Sequence, residues 1–113
     1  VYESLEAAKI LDGLGISSKV VNMHTLKPCD YDVIDQAISS SKAIITVEEH
    51  SVIGGLGSVV AEYKTQFSES PAQLILGLPD KFGKTAEYRF LLEKYRLVGS
   101  MIATDIQNFL KNL

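Results

Sequence analysis

The chain has 113 residues, 46% of them hydrophobic, which is enough for one α/β domain with a real core and too little for two. Eleven Lys and Arg stand against fourteen Asp and Glu, a net charge of -3 spread without a basic stripe, which excludes a phosphate-backbone footprint and argues against nucleic acid as a partner. No apolar run approaches the roughly 18 residues of a membrane span, and no charged and apolar leader precedes the first helix, so a soluble, cytoplasmic protein with no membrane partner is expected.

In chain order, Ala7, Ile10, Leu11 and Leu14 recur at helical spacing, and Gly13 and Gly15 follow with the residue type that ends helices in a left-handed turn. Lys19 to His24 reads as a short strand. Pro28 and Asp30 then mark a turn and an N-cap before the stripe Val33, Ile34, Ala37, Ile38. Ala43 to Val47 is a continuous apolar run rich in β-branched residues, the pattern of a parallel strand covered on both faces. A glycine-rich turn follows, then a helical repeat of Leu56, Val59, Val60, Tyr63 and Phe67, then a strand over Ala72 to Leu78. Tyr88, Leu91, Leu92 and Tyr95 mark a fourth helix. Ile102, Ile106, Phe109, Leu110 and Leu113 mark a fifth, with Ser100 as its expected cap. This alternation predicts an α/β fold, a three-layer α/β/α domain with a mostly parallel sheet and right-handed crossovers. A domain of this type normally begins with a strand, whereas this sequence opens at a helix with three strands in all. It is therefore expected to be a fragment of a longer polypeptide or to have its sheet completed elsewhere.

The densest polar cluster is Glu48-Glu49-His50-Ser51 followed by Gly54-Gly55-Leu56-Gly57-Ser58, at the carboxyl end of a predicted parallel strand and the start of a helix. Ligands bind at that edge of open α/β sheets, and helix N-termini attract anions that glycines let approach. The structural alternative is that the glycines permit a tight turn and close packing while the carboxylates cap free N–H groups. Gly55-x-Gly57-x-x-Val60, with Asp80 downstream, comes near the dinucleotide fingerprint, but its third position is valine. His50 beside Glu48 and Glu49 could form an acid/base group, which His24 at the end of a neighbouring predicted strand could approach, while the alternative for His24 is a structural, hydrogen-bonding role at the surface. Cys29 is the only cysteine, and two histidines 26 residues apart with one distant thiol match no metal-ligand spacing. Ser51 and Ser58 lack the Gly-x-Ser-x-Gly elbow of serine hydrolases. Tyr63, Phe67, Tyr88 and Tyr95 fall on apolar helix stripes and are expected in the core. In the charged turn Pro79-Asp80-Lys81-Phe82-Gly83-Lys84, Phe82 either tucks under its own loop or anchors an interdomain contact.

Three blocks come in a specific order and spacing: Thr25-Leu26-Lys27-Pro28-Cys29-Asp30, then Ile45 through Ser58, then Gly77-Leu78-Pro79-Asp80-Lys81-Phe82-Gly83. Together they resemble the transketolase C-terminal domain over nearly the whole chain. Related domains occur in deoxyxylulose-phosphate synthases and in the β subunits of 2-oxoacid dehydrogenases. Glu-Glu-His followed by Gly-Gly-Leu-Gly looks more like transketolase, including split forms whose halves are separate chains. The resemblance implies an enzyme that transfers a two-carbon ketol unit between sugar phosphates. It also implies thiamine diphosphate and Mg2+ held between N-terminal domains or a separate subunit, in a homodimer or heterotetramer. The family's Gly-Asp-Gly motif with its downstream Asn is missing here, so no cofactor, metal or catalytic residue is expected on this chain, and the isolated domain is expected to be inactive. The family's first strand and its Thr-Gly-Ser turn are missing before Val1. On this resemblance, Glu49, His50, Gly54, Gly55 and Gly57 face the rest of the enzyme or its substrate channel, and Asp80 and Phe82 make a second contact. An anion-binding regulatory module at the glycine turn is the rival from another class.

Overall fold

The computed structural model describes residues 2–23, 30–51, 55–78 and 88–113, with the side chains of Glu49, His50, Ser51 and Tyr88 outside that description. Helix α1 spans Tyr2–Gly13, α2 Tyr31–Ser40, strand β1 Ala43–Ser51, α3 Leu56–Lys64, β2 Ala72–Leu78, α4 Tyr88–Lys94 and α5 Gly99–Lys111. The chain divides into two compact units: residues 1–22 with 82–113, and residues 23–81.

The second unit carries the sheet. β1 and β2 pair in parallel, from Ala43 opposite Ala72 to Glu48 opposite Gly77, as expected for two apolar runs joined through a helix. Between Glu48 and Ser51 the ladder is interrupted: Ser51 pairs with Leu78, so Glu49 and His50 are extra residues on β1 across from a single step of β2. Helix α3 lies on both strands, with Val60 buried. Helix α2 begins where the sequence places it, since the Asp30 side chain accepts a hydrogen bond from the Val33 N–H at 3.3 Å.

In the first unit α1 packs on α5. Ala7 and Leu11 of α1, Leu91 and Leu92 of α4, and Ile102, Ala103 and Ile106 of α5 are buried. Each Leu or Ile so placed contributes roughly 1.5–3 kcal/mol relative to exposure. Both α1 and α4 end in the left-handed turn that returns an N–H to a carbonyl five residues back. Gly15 (φ 81°) takes that position after α1, with Ile16 bonded to Leu11. After α4 it is Arg96 (φ 62°), with Leu97 bonded to Leu92.

Four sequence expectations need correction. Residues 19–23 form no strand, and His24 lies outside the described residues, so the sheet has two described strands where three were expected. A strand is completed by a ladder, and two valines between Lys19 and Asn22 carry propensity without a partner. Ser100 does not cap α5, because the helix begins at Gly99 with Val98 at the N-cap. Phe67 and Tyr63 are not core: Phe67 follows the last turn of α3 and is 37% exposed, and Tyr63 is half-buried. On the predicted apolar stripe of the first helix, Ile10 and Leu14 are exposed.

Candidate functional site

The carboxyl end of β1 and the first turn of α3 are held together by one side chain. Glu48 is 8% exposed at the end of the regular ladder, and its Oε1 accepts the Gly57 N–H at 2.5 Å. The N-cap residue, Gly55, supplies no side-chain cap of its own. A Cβ on Gly55 would overlap the Glu48 carboxylate and come within 2.7 Å of its Cδ, so the missing side chain makes room for that group. Gly57 answers a different demand. Its Cβ would stand 2.7 Å from Ile75 Cγ2 and 3.0 Å from Thr46 Oγ1, so glycine is needed for α3 to sit this close to the sheet. The Gln73 side-chain amide donates to the Gly57 carbonyl at 3.0 Å, tying the same residue to β2.

The structure therefore brings Gly55 and Gly57 together with Glu48, Thr46, Gln73 and Ile75. The backbone of Glu49 and His50 lies in the interrupted stretch of β1 beside this cluster. Gly54, Asp80 and Phe82 lie outside the described residues, as does His24. Of the two readings of the glycine turn, capping and close packing are what the described residues display. Sequence reasoning placed Glu48 in the polar cluster without singling it out, although its position at the end of an apolar strand, nine residues before a glycine in a helix start, was a usable signal. Thr46 and Gln73 were missed because each looks like an ordinary strand residue.

The anion at this helix N-terminus is the protein's own. A diphosphate leaning on the same N–H groups would meet the Glu48 carboxylate, so the described residues of the turn do not fit the diphosphate end of a thiamine cofactor or a dinucleotide. Among the described residues no group of three or more His, Cys, Asp or Glu gathers as metal ligands. No described helix is long and apolar enough to cross a membrane.

An open groove lined by Asp35, Ile38, Tyr63, Phe67 and Pro71 lies at the other end of the unit, where β1 and β2 begin. Tyr63 donates to Asp35 at 2.6 Å, and its ring lies 4.6 Å from that of Tyr31 and 5.4 Å from that of Phe67. The hydrogen bond to Asp35, followed by desolvation and the charges of Asp35 and Asp32, pushes the Tyr63 phenol up to about 12. Ligand sites of parallel sheets lie at the carboxyl ends of strands, which sets this groove apart from the candidate turn.

Two parallel strands joined through a helix, with a glycine-containing turn closed by Glu48 at the carboxyl edge, define an α/β domain. The chain belongs to the transketolase C-terminal domain family, whose model matches residues 1–100. It is 40% identical over 111 residues to a Methanocaldococcus jannaschii protein named as a transketolase C-terminal section, covering 98% of this chain and 34% of that one. It is 38% identical to a 6-deoxy-6-sulfo-D-fructose transketolase subunit from Clostridium sp., covering 96% and 35%. A 1-deoxy-D-xylulose-5-phosphate synthase from Chlorobium luteolum is 35% identical, covering 96% of this chain and 17% of that protein. Among solved structures, a split-gene transketolase described as an inactive β4 tetramer matches with a TM-score of 0.83 and 40% identity, covering 95% of this chain and 35% of its own. The chain thus spans between a sixth and about a third of the length of these relatives.

Proposed function

We propose that this chain is the non-catalytic C-terminal domain of a transketolase-like transferase that moves a two-carbon ketol unit between sugar phosphates. Its role is to pack on the domains, or the separate subunit, that hold thiamine diphosphate and Mg2+, and to stabilise the resulting homodimer or heterotetramer. Glu49, His50, Gly54 and Gly55 form the surface toward those domains, with Asp80 and Phe82 as a second contact, while Gly57 is buried against β1 and β2 and supports the turn from within. The observation that carries this reading is the closed turn: Glu48 fills the helix N-terminus that a phosphate would need, while the ladder interruption beside it falls at Glu49 and His50. Bulges re-aim side chains at sheet ends, which suits a contact surface. The same filling by Glu48 weighs against the anion-binding module. Relatives named as a C-terminal section and as a subunit support a partner that supplies the remaining domains.

The test is Glu49→Ala combined with His50→Ala in the complete enzyme. The expected result is association weakened by roughly tenfold, as for loss of interface anchors, with turnover falling alongside. Wild-type assembly and turnover in the double variant contradict the assignment. A second reading, the same domain in a deoxyxylulose-phosphate synthase, is favoured by relatives of that name at 35–38% identity. Formation of 1-deoxy-D-xylulose 5-phosphate by the complete enzyme, in place of ketol transfer between sugar phosphates, selects it.

A further inference from the structure

The cap on α3 has an unusual origin. A helix start is ordinarily closed by its own N-cap side chain, which fixes the first turn and nothing before it. Here the N-cap is Gly55, without a side-chain cap bond, and the acceptor comes from Glu48, nine residues before the donor Gly57. Glu48 is also the last residue of the uninterrupted ladder, opposite Gly77. One buried carboxylate therefore ties the end of a strand to the start of a helix, and the segment between them begins with Glu49 and His50. Gly55 shows that the fit is made for this side chain, since a Cβ there would overlap the carboxylate.

We propose that Glu48 is the positioning residue of this turn: a clasp that holds the end of β1 to the start of α3 and thereby sets the placement of Glu49 and His50. The docking consequence rests on the interdomain reading given above, while the clasp stands on the geometry alone. Glu48 touches no partner in this role and acts through the turn it holds. Its carbonyl-type oxygen does the work, so an amide that keeps the acceptor should keep the clasp.

The test is amide hydrogen exchange in the complete enzyme, followed in peptides spanning 49–57 and, as an internal control, 99–111, alongside the affinity of this domain for its thiamine diphosphate-binding portion. Glu48→Ala is expected to raise exchange in 49–57 by about tenfold, leave 99–111 unchanged and weaken association by a similar factor. Glu48→Gln is expected to restore protection, because its Oε1 still accepts from Gly57. Gly55→Ala, whose backbone (φ -88°) suits alanine, is expected to raise exchange in 49–57 by expelling the carboxylate, and it keeps the test open if Glu48→Ala does not assemble. Wild-type exchange in 49–57 in both Glu48→Ala and Gly55→Ala overturns the clasp, as does a Glu48→Gln variant as loose as Glu48→Ala. Raised exchange with unchanged association keeps the clasp and sinks the interdomain reading of the turn.

Discussion

Both compact units have a helix with a buried glycine in its first turn whose N–H is taken by a glutamate from another element, yet the two arrangements fasten different things. In the first unit Glu3 of α1 accepts the Gly99 N–H at 2.8 Å and is also paired with Arg89 at 3.1 Å, drawing α1, α4 and α5 together. In the second, Glu48 reaches Gly57 from the strand directly before its helix. The residues in contact are 96 positions apart in one case and nine in the other. A long-range cap joins helices into a core, whereas a short-range one shapes a turn. The first unit therefore carries a tie between distant helices, and the second a tie between a strand and the helix that follows it.

Gly99 gives the largest expected effect, and its comparison with Gly57 separates the units most sharply. A Cβ on Gly99 would stand 2.7 Å from Glu6 Cβ, 3.1 Å from the Glu3 carbonyl oxygen and 3.3 Å from the Ala7 nitrogen, so it meets α1 backbone that cannot yield without moving the helix. A Cβ on Gly57 meets the Ile75 and Thr46 side chains instead. Gly99→Ala is expected to lower stability by about 3 kcal/mol and Gly57→Ala by about 1–2 kcal/mol, read as urea midpoints. Equal losses would remove the distinction between backbone and side-chain contact.

The glutamates come next. Glu48→Ala leaves the buried Gly57 N–H without its acceptor and is expected to lower stability by about 1–3 kcal/mol. Glu3→Ala is expected to lose about 1 kcal/mol for the cap, with little added by the pair to Arg89, which is 60% exposed. A larger loss at Glu3 than at Glu48 would reverse the ranking of the two caps.

Two smaller effects sharpen the account of the second unit. Thr46 Oγ1 is buried and finds no hydrogen-bond partner among the described residues, so Thr46→Val is expected to be neutral or to stabilise by up to about 1 kcal/mol, checked by the shift in thermal midpoint. A clear loss would mean that the hydroxyl is used. At alkaline pH, Tyr63 holds its proton up to about 12, above the ordinary value of 10.0. Because the folded pKa lies above the unfolded one, the contribution of this phenol is fully present below pH 10 and is lost as pH rises from 10 toward 12. Tyr63→Phe is expected to delete a phenolate step near pH 12 in a spectrophotometric titration, and persistence of that step would reassign it.

How much of this was legible in the sequence follows from how local each cause is. The Asp30 cap lies three residues from its donor, and the apolar runs of β1 and β2 carry their own periodicity, so both are readable. The cap of α5 is not, because Glu3 is 96 residues from Gly99 in sequence, and Ser100 was the only local substitute in view. Residues 19–23 form no strand for a related reason: propensity is local, whereas a ladder needs a neighbour. Tyr63 looked like core because its spacing is right, but its hydroxyl bonds Asp35 on another helix and keeps the ring half-buried. At the candidate site, the glycines and the strand end were readable as a cluster. Which carboxylate closes the helix depended on strand register and depth, and only the fold supplies those.

The most direct test of the central claim is thiamine diphosphate-dependent ketol transfer by this chain, assayed alone and again in complex with the N-terminal portion that carries the cofactor-binding domains. The account predicts no turnover by the chain alone and turnover by the complex. Turnover by this chain without that portion, or none from a well-formed complex, would contradict it.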